Sequence, residues 1–282
     1  MKIGIALSGG GIRGVAHAGV LKALEENGIK IDIIGGTSAG SMIASLYAIG
    51  YNPDEIYMIF KQNLDKIVGK NNFSFMSGLR RIFCKTTEFK GLKNGKNIEE
   101  VFNKLANNKN MDMITNIEMP IVIPTVDIMD SNEYVFTNYV PVGGKTEKYI
   151  TDITIGEAVR ASSSFPAVFN LCSIENHAFM DGGALDNVPV EEVKKQGADK
   201  VIAVKFEEDK IDETCNIMDI VMKTIDIMGT KISEESIKQS DLVLSIHTDK
   251  MGLLENKNIE KCFWCGYEAV NKNIDKIREM IK

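Results

Sequence analysis

Ser38 stands in a G-T-S-A-G run at residues 36–40, directly after the apolar stretch Ile31-Asp32-Ile33-Ile34-Gly35. A serine with glycine two residues to either side, set between a strand and a helix, is the pattern of a nucleophile elbow. The turn is so tight that a Cβ at Gly36 or Gly40 would collide, and it presents Ser38 Oγ at the tip of the strand. The residues that follow, S-M-I-A-S-L-Y-A at 41–48, have the make-up of the helix this motif requires. A serine used in this way also needs a base, donors for an oxyanion and a pocket.

Donors are offered upstream. Ser8-Gly9-Gly10-Gly11-Ile12-Arg13-Gly14 follows a first strand and opens a first helix. Backbone N–H groups at a helix start lack intrahelical partners and carry the positive end of the helix dipole. Glycines at 9, 10, 11 and 14 let a ligand come close to the chain. One oxyanion donor is worth about 3–4 kcal/mol in a transition state. The same residues also fit G-x-G-x-x-G, the dinucleotide fingerprint. That fold expects an acid at the end of the second strand. Here that end is Gly35-Gly36-Thr37, and Asp32 lies near the start instead, so the dinucleotide reading loses its second requirement. Arg13 is placed either to steer an anionic head group or simply to face solvent.

Two bases are open. The chain has three histidines, and a Ser-Asp-His order would select His247, which follows a late strand. His17 sits inside the first helix and His177 in a polar turn. The other candidate is Asp181, followed by Gly182 and Gly183 in a D-G-G turn that brings backbone close to a partner. An ordinary Asp, with a pKa of about 3.9, is a weak base at neutral pH and would need burial or a close bond to Ser38.

The elements that must position these groups follow from periodicity. Strand Ile3–Leu7, a helix over 13–27, a strand over 31–34 and a helix over 38–49 alternate tightly, which implies a parallel sheet with helices on its faces. Further strands are predicted at 120–129, 133–136, 178–180, 200–206 and 241–246, with short helices at 154–161 and 190–196. Ile217, Val221, Thr224, Met228 and Ile232 mark a long amphipathic helix over 215–239, its methionines read as core filler. Val270, Ile274, Ile277 and Ile281 line a closing helix.

Composition narrows the class. The 282 residues are 44% hydrophobic, enough for a substantial core, and the net charge of −6 argues against a general nucleic-acid binder. Five scattered cysteines do not form a secreted disulfide framework, and the single C-x-x-C pair, Cys262 and Cys265, lacks the second pair of a structural zinc site. Apolar runs fall far short of the ~20 residues of a membrane span, and the N-terminus does not read as a signal peptide. The chain is therefore expected in the cytoplasm. Residues 61–96 differ from the rest: nine Lys/Arg against two acids give +7, with Phe73, Phe75, Phe83 and Phe89 interleaved. This basic and aromatic stretch reads as an insertion or lid, with contact to an anionic membrane surface as its possible use.

Taken together, G-G-G-x-R-G at 9–14, G-T-S-A-G at 36–40, A-V-R-A-S-S-S-F-P at 158–166 and D-G-G at 181–183 resemble the patatin-like phospholipases, in that family's order and with compatible spacing. The resemblance implies a three-layer α/β/α fold with a mainly parallel sheet, in one domain over 1–282. It implies a Ser38–Asp181 dyad, with Gly9, Gly10, Gly11 and Gly14 in the oxyanion loop and Arg13, Gly36, Gly40, Gly182 and Gly183 supporting it. The activity implied is hydrolysis of fatty-acyl esters of lipids through an acyl-enzyme, without metal or other cofactor. His17 becomes structural, and His177 and His247 become surface residues. The competing readings are a non-catalytic lipid- or nucleotide-binding module that keeps the glycine loops, and a Ser-His-Asp esterase using His247. Ser162, Ser163 and Ser164 are expected to shape or cap the site.

Overall fold

The computed structural model describes residues 1–67, 94–166, 168–207, 217–248 and 258–282. Strand β1 (Ile3–Leu7) is buried along its whole length and lies between β2 (Ile33–Gly36) and β8 (Lys200–Phe206), parallel to both. The sheet runs β5-β4-β3-β2-β1-β8-β9, with β3 at Ile121–Asp127, β4 at Asn132–Thr137, β5 at Tyr149–Ile150 and β9 at Leu242–Ile246. A hairpin of β6 (Cys172–Ile174) and β7 (His177–Asp181) joins it through β7. Five of the eight strand pairings are parallel. The α/β, mainly parallel expectation is met.

Strands buried on both faces explain the continuous apolar runs. Ile5, Leu7 and Ile34 enter the larger core with α1 (Val15–Glu26), α2 (Ala39–Ala48) and the C-terminal α8 (Ile259–Met280). Ala6 and Ile33 enter a smaller core beneath α6 (Val190–Lys195). Cys262 is buried and Cys265 partly buried in α8.

Two helices were not anticipated. α3 (Pro53–Ile67) starts in a reciprocal cap between Asn52 and Glu55, at 2.9 Å each way. It buries Ile56, Phe60, Leu64 and Ile67 at helical spacing, so ordered core structure extends into the stretch read as an insertion. α4 (Lys96–Asn107) does the same with Ile98, Phe102 and Ala106. The four phenylalanines of that stretch lie outside the described residues. α5 (Ile155–Ser162) begins in a Thr154–Glu157 capping box.

The long helix α7 (Ile217–Lys238) exists, but its packing face is not the predicted one. Thr224, Met228 and Ile232 are exposed, while the side chains of Ile217 and Val221 lie outside the described residues. The helix is seated through small residues instead. Gly229 lies so close to the turn after β7 that a Cβ there would stand 2.7 Å from Gly183 O. Ser233 Oγ accepts from Asn187 N–H at 3.2 Å, and Ser236 Oγ donates to Val188 O at 3.0 Å.

One feature of the sheet positions the site. β4 covers one edge of β3 from Val122 to Asp127. The other edge is shared end to end: β2 pairs with Ile121 and Val122, and β7 pairs with Thr125 to Asp127 from the opposite direction. The chain leaving β2 enters the elbow, and β7 ends at Asp181. The two strand ends therefore meet head-on over β3.

Candidate active site

The elbow is as tight as its glycines imply. A Cβ at Gly36 would stand 2.3 Å from Gly40 O, and one at Gly40 would stand 2.3 Å from Leu7 O. Ser38 is held at φ 53°, ψ −121°, a left-handed conformation costing about 1–3 kcal/mol for a non-glycine residue. Hydrogen bonds fix it from both sides. Its N–H donates to Ser162 Oγ at 3.0 Å, and its carbonyl accepts from Ser41 Oγ at 2.6 Å and Ser163 Oγ at 3.2 Å. Thr37 Oγ1 donates to Asp186 O at 2.8 Å. Ser162 and Ser163, read from sequence only as shaping residues, thus clamp the backbone of the nucleophile candidate from the end of α5.

Asp181 closes β7. Its Oδ1 accepts the Gly183 N–H at 2.8 Å. Its Oδ2 is buried and makes no hydrogen bond of good geometry among the described residues. Burial pushes the carboxyl pKa up to about 6, against the smaller opposing pull of the Ser38 hydroxyl and the Gly183 N–H, which favour the ionised form. Ser38 and Asp181 both border the cavity described below. Gly182 lets the chain pass close to β3, since a Cβ there would stand 2.3 Å from Pro124 O. Asp186 is also buried and its carboxyl is raised by burial, but it is not on the cavity wall described below.

The glycine loop divides its labour more sharply than its sequence suggests. The Gly9 N–H is already engaged by Asn187, at 3.0 Å to Oδ1 and 3.3 Å to the carbonyl. Gly10 and Gly11 N–H groups make no hydrogen bond among the described residues, and both glycines face the cavity. Gly14 does not. A Cβ there would stand 2.5 Å from Ala39 Cβ, so its role is to let the loop pack on α2. Arg13 is not solvent-facing, and it is not among the described residues that line the cavity. It is 2% exposed, its Nε donates to Gly10 O at 3.4 Å, and its guanidinium lies 5.0 Å from the Phe206 ring centre. Asn187, which holds both Gly9 and the α7 seat, carries no sequence signal of its own.

None of the histidines touches the cavity. His17 donates from Nε2 to Ser8 O at 2.8 Å, and burial lowers its pKa to about 4, so it is a neutral strut under the loop. His177 is not in a polar turn: it opens β7, stacks on Phe179 and bonds Asp127 Oδ2 through Nδ1 at 2.7 Å. His247 is exposed and bonds Glu207. It follows the edge strand β9, three strands from β2, or roughly 14 Å at the usual strand spacing.

Ser38 and Asp181 open onto a cavity of about 280 Å³. Its walls are apolar, from Met42 on α2, Phe60 on α3, Ile98 on α4, Val168 and Phe169 after α5, and Met228 on α7. Met228 is the most open of its described lining residues. Its methionine is wall rather than core filler. Among the described residues no cluster of three or more His, Cys, Asp or Glu could hold a metal ion.

A strained elbow serine and a buried carboxyl thus share an apolar cavity with loop N–H groups that make no hydrogen bond among the described residues. Residues 5–194 match the patatin-like phospholipase family, and the chain belongs to that family of carboxylic ester hydrolases. It is 33% identical over 202 residues to lysophospholipase NTE1 of Yarrowia lipolytica, covering 72% of this chain and 12% of that protein. Against lysophospholipase NTE1 of Candida albicans the identity is 32% over 207 residues, covering 72% and 13%. The chain thus spans about an eighth of the length of these relatives. In fold it is similar to VipD from Legionella pneumophila, with a TM-score of 0.57 at 16% identity, over 98% of this chain and 67% of that one. The ExoU–SpcU complex of Pseudomonas aeruginosa gives 0.52 at 17%, over 98% and 51%.

Proposed function

We propose that this protein cleaves the acyl ester of single-chain lipids, lysophospholipids above all, through a Ser38–Asp181 dyad. The observation that carries the reading is the buried Asp181 carboxyl, with one oxygen unpartnered, beside the strained Ser38 on one apolar cavity. Ser38 Oγ attacks the ester carbonyl carbon as Asp181 takes its proton. The N–H groups of Gly10 and Gly11 hold the oxyanion. The C–O bond to the alcohol then breaks, and the leaving oxygen recovers the proton from Asp181. Water adds to the acyl-enzyme, giving a proton to Asp181 that returns to Ser38 as the fatty acid departs.

The apolar walls of the 280 Å³ cavity suit an acyl chain. Each buried methylene contributes about 0.8 kcal/mol to binding. The names of the relatives point the same way. The basic, aromatic stretch at 61–96 is proposed as a further contact with anionic lipid.

The test is hydrolysis of lysophosphatidylcholine by purified variants. Ser38→Ala and Asp181→Asn should each lose at least about a thousandfold in kcat/KM, while His247→Ala stays within a few-fold of the parent. A thousandfold loss in His247→Ala, or activity kept in Asp181→Asn, would contradict the dyad.

A further inference from the structure

We infer that the outward face of α7 is the surface on which this enzyme settles onto aggregated lipid. The inference rests on the lipid-hydrolase reading above. In sequence, eight of the twelve residues from 217 to 228 are apolar, more than one packing face of a helix requires. Such a segment is ordinarily buried or in contact with lipid. Yet α7 packs on the protein through Gly229, Ser233 and Ser236, and leaves large apolar side chains outward: Ile220 49%, Ile227 42%, Met228 57% and Ile232 43% exposed. On a helix these four spread over a broad outward arc rather than a packing seam. Leu185, in the turn that α7 packs against, is also exposed, by 39%.

The patch is continuous with the cavity. Met228 belongs to both: it is outward on α7 and also part of the wall around Ser38 and Asp181. A lipid surface seated here would place an acyl ester at the mouth without passage of its chain through bulk water. The charges on the helix argue for an apolar mode of contact. Lys231 and Lys238 pair with Glu234 and Glu235 on the helix itself and Lys223 is half-buried, so among the described residues α7 presents no cationic stripe to an anionic surface. Its docking is therefore onto zwitterionic lipid and is insensitive to salt, unlike any contact made by the basic stretch at 61–96.

The experiment uses the full chain carrying Ser38→Ala, so that lipid is not consumed, and measures co-sedimentation with phosphatidylcholine vesicles at low and high salt. Adding Ile220→Asp and Ile227→Asp, neither on the cavity wall, should weaken vesicle binding at least about tenfold at both salts. With Ser38 intact, the double variant should hydrolyse a short, monomeric ester within about twofold of the parent. A second measurement does not depend on how the aspartates are tolerated: Ile227→Cys carrying an environment-sensitive fluorophore should shift to shorter wavelength on vesicles. Unchanged vesicle binding in the double variant, or no spectral shift at position 227, would overturn the docking surface while leaving ester hydrolysis standing. Loss of short-ester hydrolysis by the parent itself would instead overturn the hydrolase reading.

Discussion

Asp181 is the residue on which the proposed chemistry turns. Burial moves its pKa from the ordinary 3.8 to about 6, which brings it within reach of acting as a base near neutrality. The account predicts that kcat/KM on a neutral ester rises with pH through about 6 and levels off above it, because the free enzyme needs the carboxylate. The same shift has a consequence for stability of definite sign. Between the two pKa values the folded chain holds a proton that the unfolded chain has released, so this group's contribution to stability falls as pH rises and the full penalty is present above about 6. A rise from 3.8 to about 6 corresponds to about 3 kcal/mol. Asp181→Asn should therefore be inactive yet more stable than the parent at pH 8 by up to about that amount, with the difference vanishing by about pH 4, in urea unfolding at both pH values. Equal stability at pH 8 would mean that the carboxyl is not desolvated. His17 works in the opposite sense. Its pKa is lowered to about 4, so the stability it contributes is lost as pH falls below the ordinary histidine range.

At the scale of elements, the site exists because β2 and β7 share one edge of β3 and end facing each other. That arrangement was not legible in the sequence. The G-T-S-A-G and D-G-G turns announce themselves through their glycines, but nothing local says that strands far apart in the chain abut end to end. The same limit applies to Ser162, whose hydroxyl accepts the Ser38 N–H across 124 residues of chain. Removing it strands a buried donor, at about 1–3 kcal/mol, and releases one side of a strained turn. Ser162→Ala should lower kcat about tenfold or more with KM nearly unchanged, and Ser162→Thr should recover part of the loss. A change in KM alone would show that the clamp shapes the pocket rather than holding Ser38. Periodicity succeeded where one face is packed, as in α8 with its buried Val270 and Ile277, and failed on α7. There, among the described side chains, Gly229, Ser233 and Ser236 make the contact while Met228 and Ile232 of the expected stripe face out, so a rule that places large apolar side chains inward assigns the wrong face to them.

Across the whole molecule, the alternation of strands and helices, the elbow and the glycine loop were recoverable from residue types and spacing, since each follows from local sequence. What was not recoverable depends on burial: which loop N–H groups remain unpaired, where Arg13 points, and which of two candidate bases faces the serine. The three-dimensional arrangement separates the candidates, with Asp181 on the cavity and His247 three strands away. The most direct measurement is the rate of covalent labelling by a long-chain fluorophosphonate, with the adduct mapped by mass spectrometry in the parent, Asp181→Asn and His247→Ala. The account predicts an adduct on Ser38, formed at the parental rate in His247→Ala and slowed by orders of magnitude in Asp181→Asn. An adduct at another residue, or slowing by the histidine substitution instead of the aspartate, would contradict it.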